Sequence, residues 1–164
     1  AGYFASLLAV GWTTASLTTA HWHGRAERRA IVGGPLLILA MTGALLAGFG
    51  ALPAAVMGVL LVVLGFGVGA LSIHLIAFTM QHAQPGEESI TASSIPTVRT
   101  LGIAFGSALA GVIATLGGLS GQVDGAVVQA AVGAVFVASL LVAALQLALA
   151  WRLLRLAPAR VATG

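Results

Sequence analysis

Four long stretches of this chain contain no Asp, Glu, Lys or Arg, and they constrain the fold more than any other feature. The uncharged stretches cover residues 1–24, 30–86, 100–123 and 125–151. A helix that crosses a bilayer needs about 20 apolar residues, whereas a soluble helix needs a polar face for water. Three of the stretches have the length of one crossing, and the longest has room for two. The sequence therefore predicts an all-α, polytopic helical membrane protein.

Turn signals divide the chain into five predicted spans. Gly50 and Pro53 separate the two crossings within the longest stretch, and Gly86 marks the longest polar loop. Span 4 starts at residue 95 or, alternatively, near Glu88 with a bend at Pro96. The five predicted spans, numbered 1 to 5 in chain order, run over residues 3–20, 30–49, 54–80, 95–118 and 126–151.

All seven basic side chains fall at one end of these spans. With five crossings, the 21–29 loop, the 81–94 loop and the C-terminal tail share one face, and cytoplasmic loops carry the excess of basic residues. The pattern predicts a multi-pass protein of the cytoplasmic membrane with a cytoplasmic C-terminus. The basic residues are Arg25, Arg28, Arg29, Arg99, Arg152, Arg155 and Arg160.

The composition argues against several classes of function. The chain has no Cys, which excludes disulfides and thiolate–metal sites. Its net charge of +3 comes from Arg residues beside apolar spans, so we expect no nucleic-acid partner. His21 and His23 point to different faces of a helix, and Glu27 alone does not complete a metal site with them. No catalytic motif is present. We therefore expect no metal, no cofactor, no catalytic residue and no enzymatic activity.

Small residues mark the predicted contacts between helices. Lipid provides no hydrophobic drive for helices to associate, so close packing depends on Gly, Ala, Ser and Thr. Gly65 and Gly69 on span 3 and Gly102 and Gly106 on span 4 each form a GxxxG pair, and Gly111 continues a stripe of small residues on span 4. These five glycines are the predicted helix-packing positions.

Polar side chains are concentrated in spans 1, 3 and 4, which favours these spans as the lining of a water-filled cavity. The alternative for any single hydroxyl is a hydrogen bond to its own helix backbone. Spans 2 and 5 are predicted to be peripheral. The candidate substrate or cavity residues are Trp12, Ser16, Ser72, His74, Arg99 and Ser107.

Three of these candidates have two interpretations each. His74 lies well within span 3 and either titrates in the cavity or stays neutral, bonded to a neighbouring helix. Arg99 either binds an anionic substrate or a partner carboxylate, or extends to the inner interface. Trp12 either stacks on an aromatic or cationic molecule or fills space between helices.

Three features of the chain resemble the major facilitator superfamily. Residues 11–16, followed by residues 23–29 and 33–35, look like the degenerate C-half copy of the family's signature loop. Residues 92–99 and the glycines after them are similar to the penultimate helix of the drug-exporter branch. The predicted orientation also matches the last five helices of the family. The resemblance covers the whole chain.

This resemblance implies the C-terminal part of a secondary transporter with twelve or fourteen helices that works by alternating access. The implied activity is proton-coupled efflux of small amphipathic molecules. The implied partners are the substrate, protons, membrane lipids and the missing N-terminal half of the same chain. The resemblance assigns Gly24, Arg25, Arg28 and Arg29 to a gating loop.

Two further expectations accompany the resemblance. No carboxylate lies inside a predicted span, so we expect the titrating acid of a proton-coupled carrier in the missing half. The alternatives to an exporter are an uptake permease for a small metabolite and a membrane enzyme or assembly subunit.

The orientation can be tested by labelling single cysteines in a cysteine-free version of the full-length protein. We expect a membrane-impermeant maleimide to label Asp124→Cys in intact cells, and Ala157→Cys only after the cells are opened, because the basic end of the spans faces the cytoplasm. Labelling of both positions in intact cells would contradict the five-span arrangement.

Overall fold

The computed structural model of the protein describes residues 2–119 and 124–156, and this part of the chain is helical without any β-strand. The five α-helices are α1 (Gly2–Thr19), α2 (Arg25–Gly48), α3 (Ala54–Gln81), α4 (Glu88–Ala114) and α5 (Gly125–Leu156). A π-helical turn, Thr115–Leu119, continues α4. The prediction of an all-α membrane protein is confirmed. Arg160 lies outside the described residues.

Four of the described helices are long and apolar enough to cross a bilayer. They are α2, α3, α4 together with its π-helical turn, and α5. Helix α1 has 18 residues but is not among the four, because its Ser and Thr side chains lower its mean hydropathy. Helix α4 begins at Glu88, the second of the two predicted starts, and Pro96 lies inside it.

Helix α3 lies at the centre of the described structure. Helix α1 packs on one side of α3 and α2 on another, while α5 packs on α2. Helix α4 contacts α5 and, less extensively, α3. Helix α2 lies between α3 and α5, and about a third of its most apolar segment is buried. The peripheral position of span 2 relative to the cavity stays a prediction.

Two glycines of α3 let α1 approach at backbone distance. A Cβ atom added at Gly65 would overlap the carbonyl oxygen of Leu8, and one added at Gly69 would lie 2.5 Å from the carbonyl oxygen of Trp12. On the opposing helix, a Cβ atom at Gly11 would overlap the carbonyl oxygen of Val62. Each position therefore excludes a larger side chain.

A third glycine of α3, Gly67, permits the close contact with α2. Residues two apart on a helix point in nearly opposite directions, so Gly67 faces α2 while Gly65 and Gly69 face α1. Added Cβ atoms at Gly67 and Gly34 would lie 3.0 Å and 2.8 Å from the carbonyl oxygen of the other residue. Gly67 and Gly34 were not among the packing positions predicted from the sequence.

Helix α4 packs differently, because none of its residues is buried. A Cβ atom added at Gly102, Gly106 or Gly111 would have no neighbouring atom of the described residues within 4 Å. Their packing role stays a prediction, for helices other than α1, α2, α3 and α5. Contact with α5 is instead close at Gly117 of the π-helical turn, where an added Cβ atom would lie 2.7 Å from Ala131 Cα.

We expect Gly65→Ala to destabilise the full-length protein, because the new methyl group must push the α1 backbone away from α3. Overpacking of this kind costs about 1–3 kcal/mol. The matched control is Gly133→Ala on α5, where an added Cβ atom meets nothing within 4 Å. The melting temperature of the detergent-solubilised protein should fall in Gly65→Ala and stay unchanged in Gly133→Ala. Equal melting temperatures for the two variants would contradict the observed α1–α3 contact.

Candidate functional site

Two of the predicted substrate residues, Trp12 on α1 and Arg99 on α4, contact each other. The Arg99 Cζ atom lies 5.2 Å from the centroid of the Trp12 ring, which is cation–π distance. Among the described residues, no Cα atom of α1 lies within 8 Å of a Cα atom of α4. The two long side chains therefore bridge helices whose backbones stand apart. Both side chains are exposed, and 37% of the Trp12 surface is accessible to solvent.

Hydroxyl groups on the helices predicted to line a cavity donate hydrogen bonds to the backbone of their own helix, which was the alternative to a cavity role. Ser16 Oγ donates a hydrogen bond to the carbonyl oxygen of Trp12 one turn earlier, at 3.0 Å. The same local bonding occurs at Ser6, Thr14, Thr18 and Thr19 of α1 and at Ser93, Ser94, Thr97 and Thr115 at the two ends of α4. These hydroxyls alone therefore give no evidence of a cavity. Ser72 is half-buried on α3 and Ser107 is exposed on α4, and their roles stay predictions.

A second group of polar residues lies where α1, α2 and α3 meet, and we call it the inner polar cluster. His74 is buried, with 2% of its surface exposed, and its ring stacks on Trp22 with centroids 6.1 Å apart. Its Nε2 atom makes no hydrogen bond to any described residue. Glu27 is also buried, with 5% exposed, and accepts a hydrogen bond from Gln81 Nε2 at 3.3 Å. Thr19, at the end of α1, completes the cluster.

Glu27 lies in a helix, whereas the sequence predicted a loop at this position and no carboxylate within the spans. Helix α2 begins at Arg25, so Glu27 lies in its first turn, with its side chain buried. The signal was present in the sequence, because Glu27, Ile31 and Gly34 share one face of a helix at three- and four-residue steps, and all three are buried. This pattern was missed because span 2 was predicted to start at residue 30, after Glu27.

The predicted gating loop leads into α2 through a turn that favours glycine. Gly24 has φ 59° and ψ −112°, a conformation that residues with a Cβ atom rarely adopt. Arg28 then donates a hydrogen bond to the carbonyl oxygen of Leu154, in the last turn of α5. A cation is favourable at this helix end, where carbonyl groups lack partners. Arg25 and Arg29 are exposed. The gating role of these four residues stays a prediction.

An apolar groove of about 480 Å³ lies between α2, α3 and α5. Ile31, Leu71 and Leu149 are among its lining residues, and none of the six predicted substrate residues lines it. No group of three or more His, Cys, Asp or Glu side chains with metal-binding geometry occurs in residues 2–119 and 124–156.

The chain is similar to part of two curated proteins from Mycobacterium tuberculosis. Both are described as probable multidrug-efflux transporters, one from strain CDC 1551 and one from strain H37Rv. Each is 31% identical over 120 residues, which cover 69% of this chain and 25% of the relative. The chain thus matches about a quarter of the length of these relatives. No family model and no solved structure matches it.

The Trp12–Arg99 pair can be tested by ligand binding to the purified full-length protein. We expect Arg99→Gln to weaken binding of the anionic dye fluorescein by about 10- to 150-fold, because a hydrogen bond to a charged group is worth about 1.5–3 kcal/mol. Ethidium, a cation, should be affected less. Arg99→Lys should restore fluorescein binding only partly, since Lys lacks the planar guanidinium.

The matched control is Arg155→Gln, because Arg155 makes the same kind of contact with Trp151 on α5, at 5.1 Å. That variant should bind both dyes as the wild type does. Fluorescence polarisation measures all three variants. Unchanged dye binding in Arg99→Gln would remove Arg99 from the candidate site and leave it as an interfacial anchor.

Proposed function

We propose that the full-length protein is a secondary transporter of the major facilitator superfamily that exports small amphipathic molecules by alternating access. The observation that carries the proposal is the similarity over 120 residues to two probable multidrug-efflux transporters. The apolar helices of the described structure support a role within the membrane. The chain forms the C-terminal part of the carrier, and the upstream half of the same protein forms the opposite wall of the substrate path.

The contact between Trp12 and Arg99 supports an amphipathic substrate. An indole ring provides a flat apolar surface, and a guanidinium group beside it binds a carboxylate or another polar group. Trp12 on α1 and Arg99 on α4 supply both, and both side chains are exposed. A molecule with an aromatic body and one polar end matches this arrangement. Ser72 and Ser107 contribute further polar contacts to the same path in this proposal.

The basic end of the helices supports a gate. Arg28 holds the first turn of α2 to the last turn of α5 in this conformation, and the gating movement breaks that bond in the other state. The turn at Gly24 gives the chain between α1 and α2 the backbone freedom that such a movement needs. Arg25 and Arg29 contact anionic lipid headgroups on the cytoplasmic side of the cell membrane.

Protons move in the direction opposite to the substrate.

An uptake permease is the second candidate, and Arg99 is the observation that favours it. An exposed guanidinium group suits a small metabolite with a carboxylate as well as it suits an amphipathic drug. The two candidates differ in the direction of transport and in the size of the substrate.

Reconstitution of the full-length protein into liposomes tests the proposal. We expect an imposed proton gradient to drive ethidium or fluorescein against its own concentration gradient, and a protonophore to abolish this movement. Protein-free liposomes under the same gradient are the control. Transport of neither dye, or accumulation only of small carboxylates in the direction of the proton flow, would contradict the exporter proposal.

A further inference from the structure

The apolar groove between α2, α3 and α5 is lined by both buried and exposed side chains. Ile31, Leu71 and Ala150 are at most 8% exposed, whereas Leu149 and Leu156 of α5 are 54% and 71% exposed. Exposed leucines on a membrane helix suit contact with lipid, because the lipid tails are as apolar as they are. The groove is therefore open to an apolar occupant from outside the described helices.

The lining residues lie near the same end of their helices. Ile31 is six residues from the start of α2, Leu71 ten residues from the end of α3, and Gln146 ten residues from the end of α5. At 1.5 Å per residue, the groove reaches about 15 Å from that end. The hydrocarbon core is about 30 Å thick, so one leaflet supplies about 15 Å of it. The groove therefore lies within one leaflet, where an apolar occupant is an acyl chain.

Arg152 places a positive charge on the groove at the level of the lipid headgroups. It is the only charged residue among the described residues that line the groove. Trp151 beside it is 52% exposed and contacts Arg155. Trp side chains are enriched at the headgroup level of membranes, which gives the depth of this turn of α5. A guanidinium group at that depth binds a lipid phosphate through two N–H donors.

A second guanidinium group adjoins the same end of the groove. Arg28 donates a hydrogen bond to the carbonyl oxygen of Leu154, two residues beyond Arg152 on α5. Leu154 packs against the buried cluster that contains Ile31 and Ala150, which both line the groove. A guanidinium has five N–H donors, so Arg28 has donors left for a headgroup.

No negative charge opposes a phosphate at this position. The four acidic residues of the chain are all among the described residues, and none of them lines the groove. Glu27, one helical turn before Ile31, is buried and accepts its hydrogen bond from Gln81 of α3. Gln146 is the one uncharged polar residue described in the lining, and it also lines a cavity between α2, α4 and α5.

We propose that the groove binds one phospholipid with an anionic headgroup, whose acyl chain lies between α2, α3 and α5 and whose phosphate contacts Arg152. The basic end of the helices is predicted to face the cytoplasm, and the cytoplasmic leaflet carries anionic lipids that attract basic residues. A zwitterionic lipid fills the groove equally well with its chain but brings a positive charge towards Arg152, so it binds less tightly. The proposal depends on the position of the helices in a membrane and not on transport.

Native mass spectrometry of the full-length protein in detergent tests the headgroup contact. Titration with palmitoyl-oleoyl phosphatidylglycerol gives the dissociation constant of the tightest lipid site, and phosphatidylcholine with the same chains gives the comparison. We expect Arg152→Gln to weaken phosphatidylglycerol binding by about fivefold, because each Arg near a membrane surface contributes attraction of this size. Phosphatidylcholine binding should not weaken.

The matched control is Arg155→Gln, which removes the same charge from the same turn of α5. Arg155 does not line the groove and contacts Trp151 instead. This variant should bind both lipids as the wild type does. Equal weakening of phosphatidylglycerol binding in the two variants would overturn the proposal, because it would show attraction to the basic end as a whole.

A second pair of variants tests the acyl chain. We expect Leu149→Trp to weaken binding of both lipids by about tenfold, because the larger side chain displaces about two methylene groups from the groove. Leu145→Trp is the control, since Leu145 is 59% exposed and does not line the groove. Inorganic phosphate should not displace the bound lipid, since it has no chain.

Two results of these titrations would refute the lipid site. Displacement of phosphatidylglycerol by inorganic phosphate would show that Arg152 binds a free anion. Wild-type lipid binding in both Arg152→Gln and Leu149→Trp would show that another part of the full-length protein covers the groove. Both results can be read whether or not the protein transports any dye, so the lipid site and the transport proposal stand or fall separately.

Discussion

The backbone contact of α3 with two neighbours is the constraint on which the rest of the structure depends. In lipid, helices associate through close packing, and Gly65, Gly67 and Gly69 permit it on opposite sides of one helix. Gly11 and Gly34 make the matching approach from α1 and α2. These three helices have no room for larger side chains at these contacts, so they pack as one close unit. Helix α5 joins this unit through α2, and α4 is held more loosely.

This close packing of α1, α2 and α3 leaves two different environments for polar groups. At the end where α1, α2 and α3 meet, the close contacts exclude water, so Glu27 and His74 are buried in a medium where net charge is costly. On the side where α4 stands apart from α1, Trp12 and Arg99 are exposed and contact each other. The two groups of polar residues therefore lie in different environments, one buried and one exposed.

The sequence was sufficient for the parts of the structure that depend on local composition. Uncharged stretches of about 20 residues predict helices in a membrane whatever their neighbours are, because the unpaired backbone cannot be left in lipid. Gly65 and Gly69 were identified from their spacing on one helix face. Gly67 was missed, because a single-face pattern gives no indication that a second helix packs on the opposite side.

The sequence by itself therefore determined the all-α membrane class and the approximate limits of the five helices in the described residues. Only the tertiary structure decided that Glu27 is buried, that Arg28 binds a carbonyl group of α5, and that Arg99 lies over Trp12. Each of these depends on which helices become neighbours and on how they are rotated. Hydropathy is averaged along one segment, whereas burial and ion contacts are set by residues far apart in the chain.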